Sequence, residues 1–274
     1  MDYSLSFKPS RLPILDPDAT AYIMAVQNAD GQPLEFGVRN AINNFVMGCK
    51  SDGIWSAIKA SCILAGARTL TGALVPLVGT APTNNNFVSG DYNRETGLVG
   101  DGSTKYLNSN QNNNADPQDN KHMSVYLGEA LSANSVANRV HIGVANLAGS
   151  TGSSVISTDP IVVIANAARR RVNGATAAVI GSSAGLAAGF HGANRSVSTD
   201  IVSRVSGSNT TTASTSETPQ NLNLHIFARN LGINGIDSYS TARLSFYSIG
   251  ESLDLALLDT RVSTLMTDLA AAIP

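Results

Sequence analysis

The chain has 274 residues, of which 43% are apolar, 14% charged and 5% aromatic, and its formal net charge is −2. That balance leaves no basic surplus to displace counterions from phosphates, which argues against a nucleic-acid partner. No apolar run reaches the ~18 residues needed to span a bilayer, and the length suits one large sandwich or two small domains.

Residues 1–17 hold three prolines and no helical period, which reads as an extended arm, docked on a neighbour or along its own domain. The opening stretch lacks the apolar core of a secretory signal, so assembly in a cytoplasm is expected. Residues 18–79 read as a helical lead-in or docking segment. Asp18 suits the start of a first helix through Ala21–Val26, which Asp30-Gly31 should stop. A second helix is expected from about Leu34 to Gly48, with Val38, Ile42, Phe45 and Val46 on one face. Trp55 is expected in the core, and the short apolar run after it fits either a helix or a buried strand. Cys49 and Cys62 read as two buried free thiols.

From about residue 80 the texture changes. Short runs of Val, Ile and aromatics alternate with Gly, Asn, Ser and Thr clusters, the pattern of an antiparallel sandwich. Expected strands are Asn86–Val88, Leu98–Val99, Lys105–Asn108, His122–Leu127, Arg139–Val144, Ser154–Ser157, Ile161–Ala165, Thr176–Ile180, Ala187–His191, Ile201–Val205, Asn223–Arg229 and Arg243–Ile249. The segments IVVIANA and ATAAVIG, joined through Asn173-Gly174, read as a hairpin. Residues 207–219, rich in Ser and Thr, read as a loop or an edge strand. The last segment is an amphipathic helix with Leu258, Val262, Leu265, Met266 and Leu269 on one face, and it should cover an open end or face of the sandwich.

Chemical signals are sparse. GSSAG at 181–185 matches a nucleophile pattern, but it precedes another strand and reads as a turn. His122, His141, His191 and His225 are isolated, without metal-ligand spacing. Glu129, Asp159, Asp200 and Asp237 never pair at the i, i+2 spacing of glucanase-type carboxylates. Asp101 and Asp116 sit among amides, too few carboxylates for a calcium site. No catalytic residue, metal or cofactor is therefore expected. Arg169-Arg170-Arg171 could hold an anionic glycan through bidentate contacts, although a solvated hairpin is the plainer reading. Tyr92, Tyr106, Tyr126, Tyr239 and Tyr247 could supply a sugar platform, some of them necessarily belonging to the core; Tyr106 and Tyr126 are the candidates carried forward with the three arginines.

GLVGDGSTKYLNS at 97–109, KHMSVYL at 121–127, GFHGANRS at 189–196, LNLHIFARN at 222–230 and RLSFYSIGESLDLALLDTRVSTL at 243–265 together carry a resemblance. Their order and spacing resemble the concanavalin A-like (laminin-G-like) jelly-roll proteins encoded by tailed bacteriophages, over roughly residues 80–272. The resemblance implies a mainly β, two-sheet antiparallel jelly-roll sandwich over 80–274, with N-terminal helices and a C-terminal amphipathic helix. It further implies a structural component of a virion, a head decoration or capsid-associated protein, with a tail-tip or fibre-tip glycan-binding module as the alternative. The partners implied are other virion proteins, further copies of the chain in a homo-oligomer, and a host-surface glycan.

Overall fold

The computed structural model describes residues 15–132, 139–147, 150–159, 166–181 and 183–274. Its helices are α1 (Pro17–Asp30), α2 (Phe36–Ser51), the single-turn α3 (Leu70–Ala73) and α4 (Leu255–Ala272). The strands are β1 (Ile58–Ile63), β2 (Thr83–Asn85), β3 (Tyr92–Asn93), β4 (Gly97–Val99), β5 (Tyr106–Asn112), β6 (Lys121–Leu127), β7 (Arg139–Val144), β8 (Ser154–Asp159) and β9 (Ala167–Arg171). They continue with β10 (Ala178–Ile180), β11 (Gly189–Arg195), β12 (Asp200–Val205), β13 (Ser208–Ala213), β14 (Asn223–Ile226), β15 (Arg229–Asn230), β16 (Ile236–Asp237) and β17 (Arg243–Gly250).

These strands form the two-sheet antiparallel sandwich that the residue pattern implies. The first sheet runs β13-β12-β11-β6-β17-β4-β3, with β1 also on β17; the second runs β10-β9-β8-β7-β14-β5-β2, with β15 and β16 attached at β7. Every pairing is antiparallel except β15 with β7. The apolar run after Trp55, open between helix and strand on periodicity, is β1, paired with β17 from Ile58↔Gly250 to Ile63↔Phe246. The Ser/Thr-rich stretch at 208–213 is an edge strand. The expected strand Ile161–Ala165 and most of the N-terminal arm lie outside the described residues.

Three layers result, because the first sheet is apolar on both faces. Met123, Val125 and Leu127 of β6 face the inter-sheet core with Leu107, Ile142, Leu224, Ile226 and Tyr247. The opposite face, with Ile63, Phe190 and Phe246, packs against Val38, Ile42 and Phe45 of α2 and Leu258, Val262 and Leu265 of α4. Phe45 and Phe246 meet edge to face at 5.7 Å. The α4 stripe thus covers a sheet face, not an open end. Asp254 caps α4 by accepting from the Ala256 and Leu257 N–H groups. Asp16, two residues earlier than the expected Asp18, caps α1. The α2 and α4 backbones approach closely at Gly37, where an added Cβ would lie 2.7 Å from the Ala272 Cβ. Gly97 opens the GLVGDG block with φ +102°, and a side chain there would strike the Leu244 carbonyl.

Candidate ligand-binding surface

The strands β5 and β14 set the site. Leu107, Leu224 and Ile226 point into the inter-sheet core, so strand alternation sends Tyr106, Asn108 and His225 to the other face of the second sheet. His225 pairs in register with Asn108 on β5 and Gly143 on β7. Tyr106 stacks on the His225 ring with centroids 4.7 Å apart and 26° between planes. Tyr239 meets Tyr106 edge-on at 6.3 Å. The result is a two-tyrosine platform backed by a buried imidazole.

Its electrostatics are close to neutral. Burial pushes His225 down to about 4, so it is uncharged near pH 7, and its Nδ1 has no hydrogen-bond partner. Burial raises the Tyr239 hydroxyl, with Tyr106, Asp101 and Asp237 adding to the effect. Arg229 and Asp237 neutralise one another through a bidentate pair, Nε–Oδ1 2.8 Å and Nη2–Oδ2 2.5 Å. Asp101 is partly desolvated, which works against ionisation, but the Thr104 hydroxyl and the N–H groups of Ser103, Thr104 and Lys105 hold it below the carboxylate range. That carboxylate is a loop brace. Two aromatic rings with amides and paired charges around them can stack a sugar ring and hydrogen-bond its hydroxyls.

The other tyrosines are taken up elsewhere. Tyr126 lies on the helix side of β6, half-buried in the layer under α4, with Asp259 and Ser263 near its hydroxyl. The two candidate tyrosines, Tyr106 and Tyr126, therefore lie on different sheets and do not share a platform. Tyr247 is wholly buried beside Cys62, and Tyr92 donates to the Ala67 carbonyl at 2.7 Å. Cys49 and Cys62 are free and buried, each thiol pushed up to about 12 by burial.

The arginine run does lie in a hairpin, but it is not wholly solvated. It lies in β9, paired with β10 through Arg169↔Val179 and Arg170↔Ala178, and alternation splits it between faces. Arg170 is fully buried; its Nη1 donates to the Ser157 and Arg169 carbonyls at 2.9 Å, and its Nη2 lies 2.7 Å from His191 Nδ1. Burial lowers Arg170 to about 9 and His191 to about 3. The pair is thus a guanidinium and a neutral imidazole, with the ring proton on Nε2 donated to the Ala187 carbonyl. Arg170 is a strut between the sheets and no external ligand reaches it. Arg169 and Arg171 are half-buried, and Arg171 Nε donates to the Ala175 carbonyl at 2.8 Å.

Ser183, the centre of GSSAG, has left-handed backbone (φ 64°) before a single 3-10 turn. The nearest histidine in sequence, His191, has both ring nitrogens engaged by Arg170 and Ala187. His141 is buried between the Ser240 and Thr158 hydroxyls. Asp116 is spent on the buried Lys121, which also donates to the Asn113 carbonyl at 3.1 Å. Among the described residues no group of three or more His, Cys, Asp or Glu could hold a metal ion. A separate cleft of about 430 Å³ lies between α1 and the Trp55 turn, lined by Tyr22, Trp55, Ser56 and Leu77. Trp55, expected in the core, is half-buried at the cleft's rim and packed against the helix-side core from outside, with its indole N–H donating to Asp18 and Lys50 5.8 Å from its ring.

No protein-family model matches the chain, and no curated protein matches its sequence. Among solved structures it is similar to the receptor-binding domain of the botulinum neurotoxin C/D mosaic serotype, at 12% identity and a TM-score of 0.46, over 76% of this chain and 51% of that one. It is similar to the CBM40 of Ruminococcus gnavus IT-sialidase at 9% identity and a TM-score of 0.36, over 53% and 83% of the two chains. Mouse laminin α1 domains LG4-5 follow at 13% identity and a TM-score of 0.34, over 66% and 47%. The chain spans about half the length of the neurotoxin binding domains it resembles.

Proposed function

We propose that this protein is a non-catalytic binding module that recognises a neutral sugar at the Tyr106–Tyr239 platform. The observation that carries this reading is the stacked and edge-on aromatic trio on the face of the second sheet turned away from both cores. Aromatic faces take the apolar face of a pyranose, and the surrounding amides and the Arg229–Asp237 pair supply directional hydrogen bonds. A glycan array probed at high protein concentration tests it. Binding that falls at least about tenfold in Tyr106→Ala, on the scale of one aromatic contact, and persists in Tyr126→Phe is the expected result. A silent array sinks the reading.

The setting we propose is a virion, with the protein made in the host cytoplasm and carried as a head decoration or capsid-associated component, a tail-tip position being the alternative. This is supported by the order of the five resembling blocks. They fall on β4–β5, β6, β11, β14–β15 and β17–α4, most of which adjoin one another in the first sheet and its helical cover. Mass spectrometry of purified particles should find the chain at a fixed stoichiometry, and its absence from them would remove this setting.

A further inference from the structure

The sandwich has unequal edges. The first sheet ends at β3, two residues long, and at β13, six residues long; the second ends at β2 and β10, three residues each. The outer edge of β1 carries one bridge, from Ser61 to Val78. Natural sheets usually blunt an exposed edge by shortness, charge, proline or a bulge. β13 uses none of these. Its sequence is Ser208-Asn209-Thr210-Thr211-Thr212-Ala213, and its register with β12 runs unbroken from Val205↔Ser208 to Asp200↔Ala213. All but Thr212 are exposed, and among the described residues nothing pairs with its outer side. The nearest cation, Arg204, is already held by Asp259 at 2.7 Å and Asn209 at 3.0 Å.

We propose that β13 is a dimerisation edge, adding antiparallel to β13 of a second copy so that the two first sheets become one continuous sheet. A twofold axis brings a strand against itself, so every side chain must tolerate its own kind. An uncharged Ser/Thr strand does, with no like-charge pair in any antiparallel register and with favourable Thr–Thr neighbours. A foreign strand would find no charge here to select it. This inference is independent of the sugar-binding reading.

Sedimentation equilibrium of the full chain at about 100 µM, high enough to register a small interface, tests it against Thr211→Lys and Thr211→Pro. The expected result is twice the chain mass for the wild type and at least a tenfold weaker association for both variants, with the thermal melt of Thr211→Lys unchanged. If Thr211→Pro fails to fold, Thr211→Lys decides. A monomeric wild type, or a dimer that Thr211→Lys leaves intact, overturns the proposal.

Discussion

The two sheets face different surroundings, and the contrast explains where binding can occur. In β6 of the first sheet every residue but Tyr126 is buried, because the inter-sheet core lies on one side and α2 and α4 on the other. Polar groups there must be satisfied internally: His122 bonds the Glu251 carbonyl and Ser248, and Ser124 bonds Ser248. In β5 of the second sheet buried and accessible residues alternate. Polar and aromatic groups such as Tyr106 and Asn108 can then stay on an open face without a burial cost, free to meet a ligand.

Breaking the helix–sheet layer should have the largest effect. Phe246→Ala removes the ring that locks Phe45 onto the first sheet and should cost about 3–5 kcal/mol in denaturant unfolding, with no effect on the second sheet's face beyond that loss. Arg170→Met keeps bulk but strips the Ser157 carbonyl and His191 Nδ1 of their donor, and should cost about 2–3 kcal/mol. If Arg170→Met is neutral, the strut between the sheets is dispensable.

Acid sharpens the contrast further. His122 is lowered to about 4 and His191 to about 3 by burial, against about 6.5 in the unfolded chain. The unfolded state binds the proton first, so the stability these neutral histidines confer is complete above about pH 6.5 and lost as pH falls towards their folded values. Carboxylates held low by arginine, such as Glu35 beside Arg94, act with the same sign but only below about pH 4.5. The melting temperature should therefore fall between about pH 6.5 and 4.5, and His122→Gln should flatten that slope by roughly 1–2 kcal/mol. A flat profile in the parent would show that the first sheet is wetter than its burial indicates. The smallest effect is expected at the rim of the helical layer: Asp254→Ala removes the α4 cap and should cost about 1 kcal/mol, read as a small drop in melting temperature.

Much of this was legible from residue order. The strands at 122–127, 139–144, 201–205 and 243–249 and the α4 stripe were marked by strong apolar patterns. β1 was ambiguous because a strand buried on both faces has no period-2 signal, and β13 because an edge strand without apolar residues looks like a loop. β9 was hidden by charge: an arginine run reads as solvated, and only the alternation Arg169 out, Arg170 in reveals that one guanidinium is buried against His191. Tyr106 is one of five tyrosines that the sequence offers for a platform, without a sign of which are core. His225 and Tyr239 are more than a hundred residues from it in sequence; His225 meets it through the β5–β14 pairing and Tyr239 through the segment after β16, whose Ser238 and Ser240 bond Val140 and Phe227, and no local signal announces either.

The most direct test of the account is backbone and side-chain amide chemical-shift mapping of the protein with a sugar taken from the array. Perturbations are expected to cluster on Tyr106, Asn108, His225, Arg229 and Tyr239, with Tyr126 and the helical layer silent. Perturbations centred instead on Trp55 and Tyr22 would place recognition in the cleft beside α1 and contradict the assignment of the second sheet's open face.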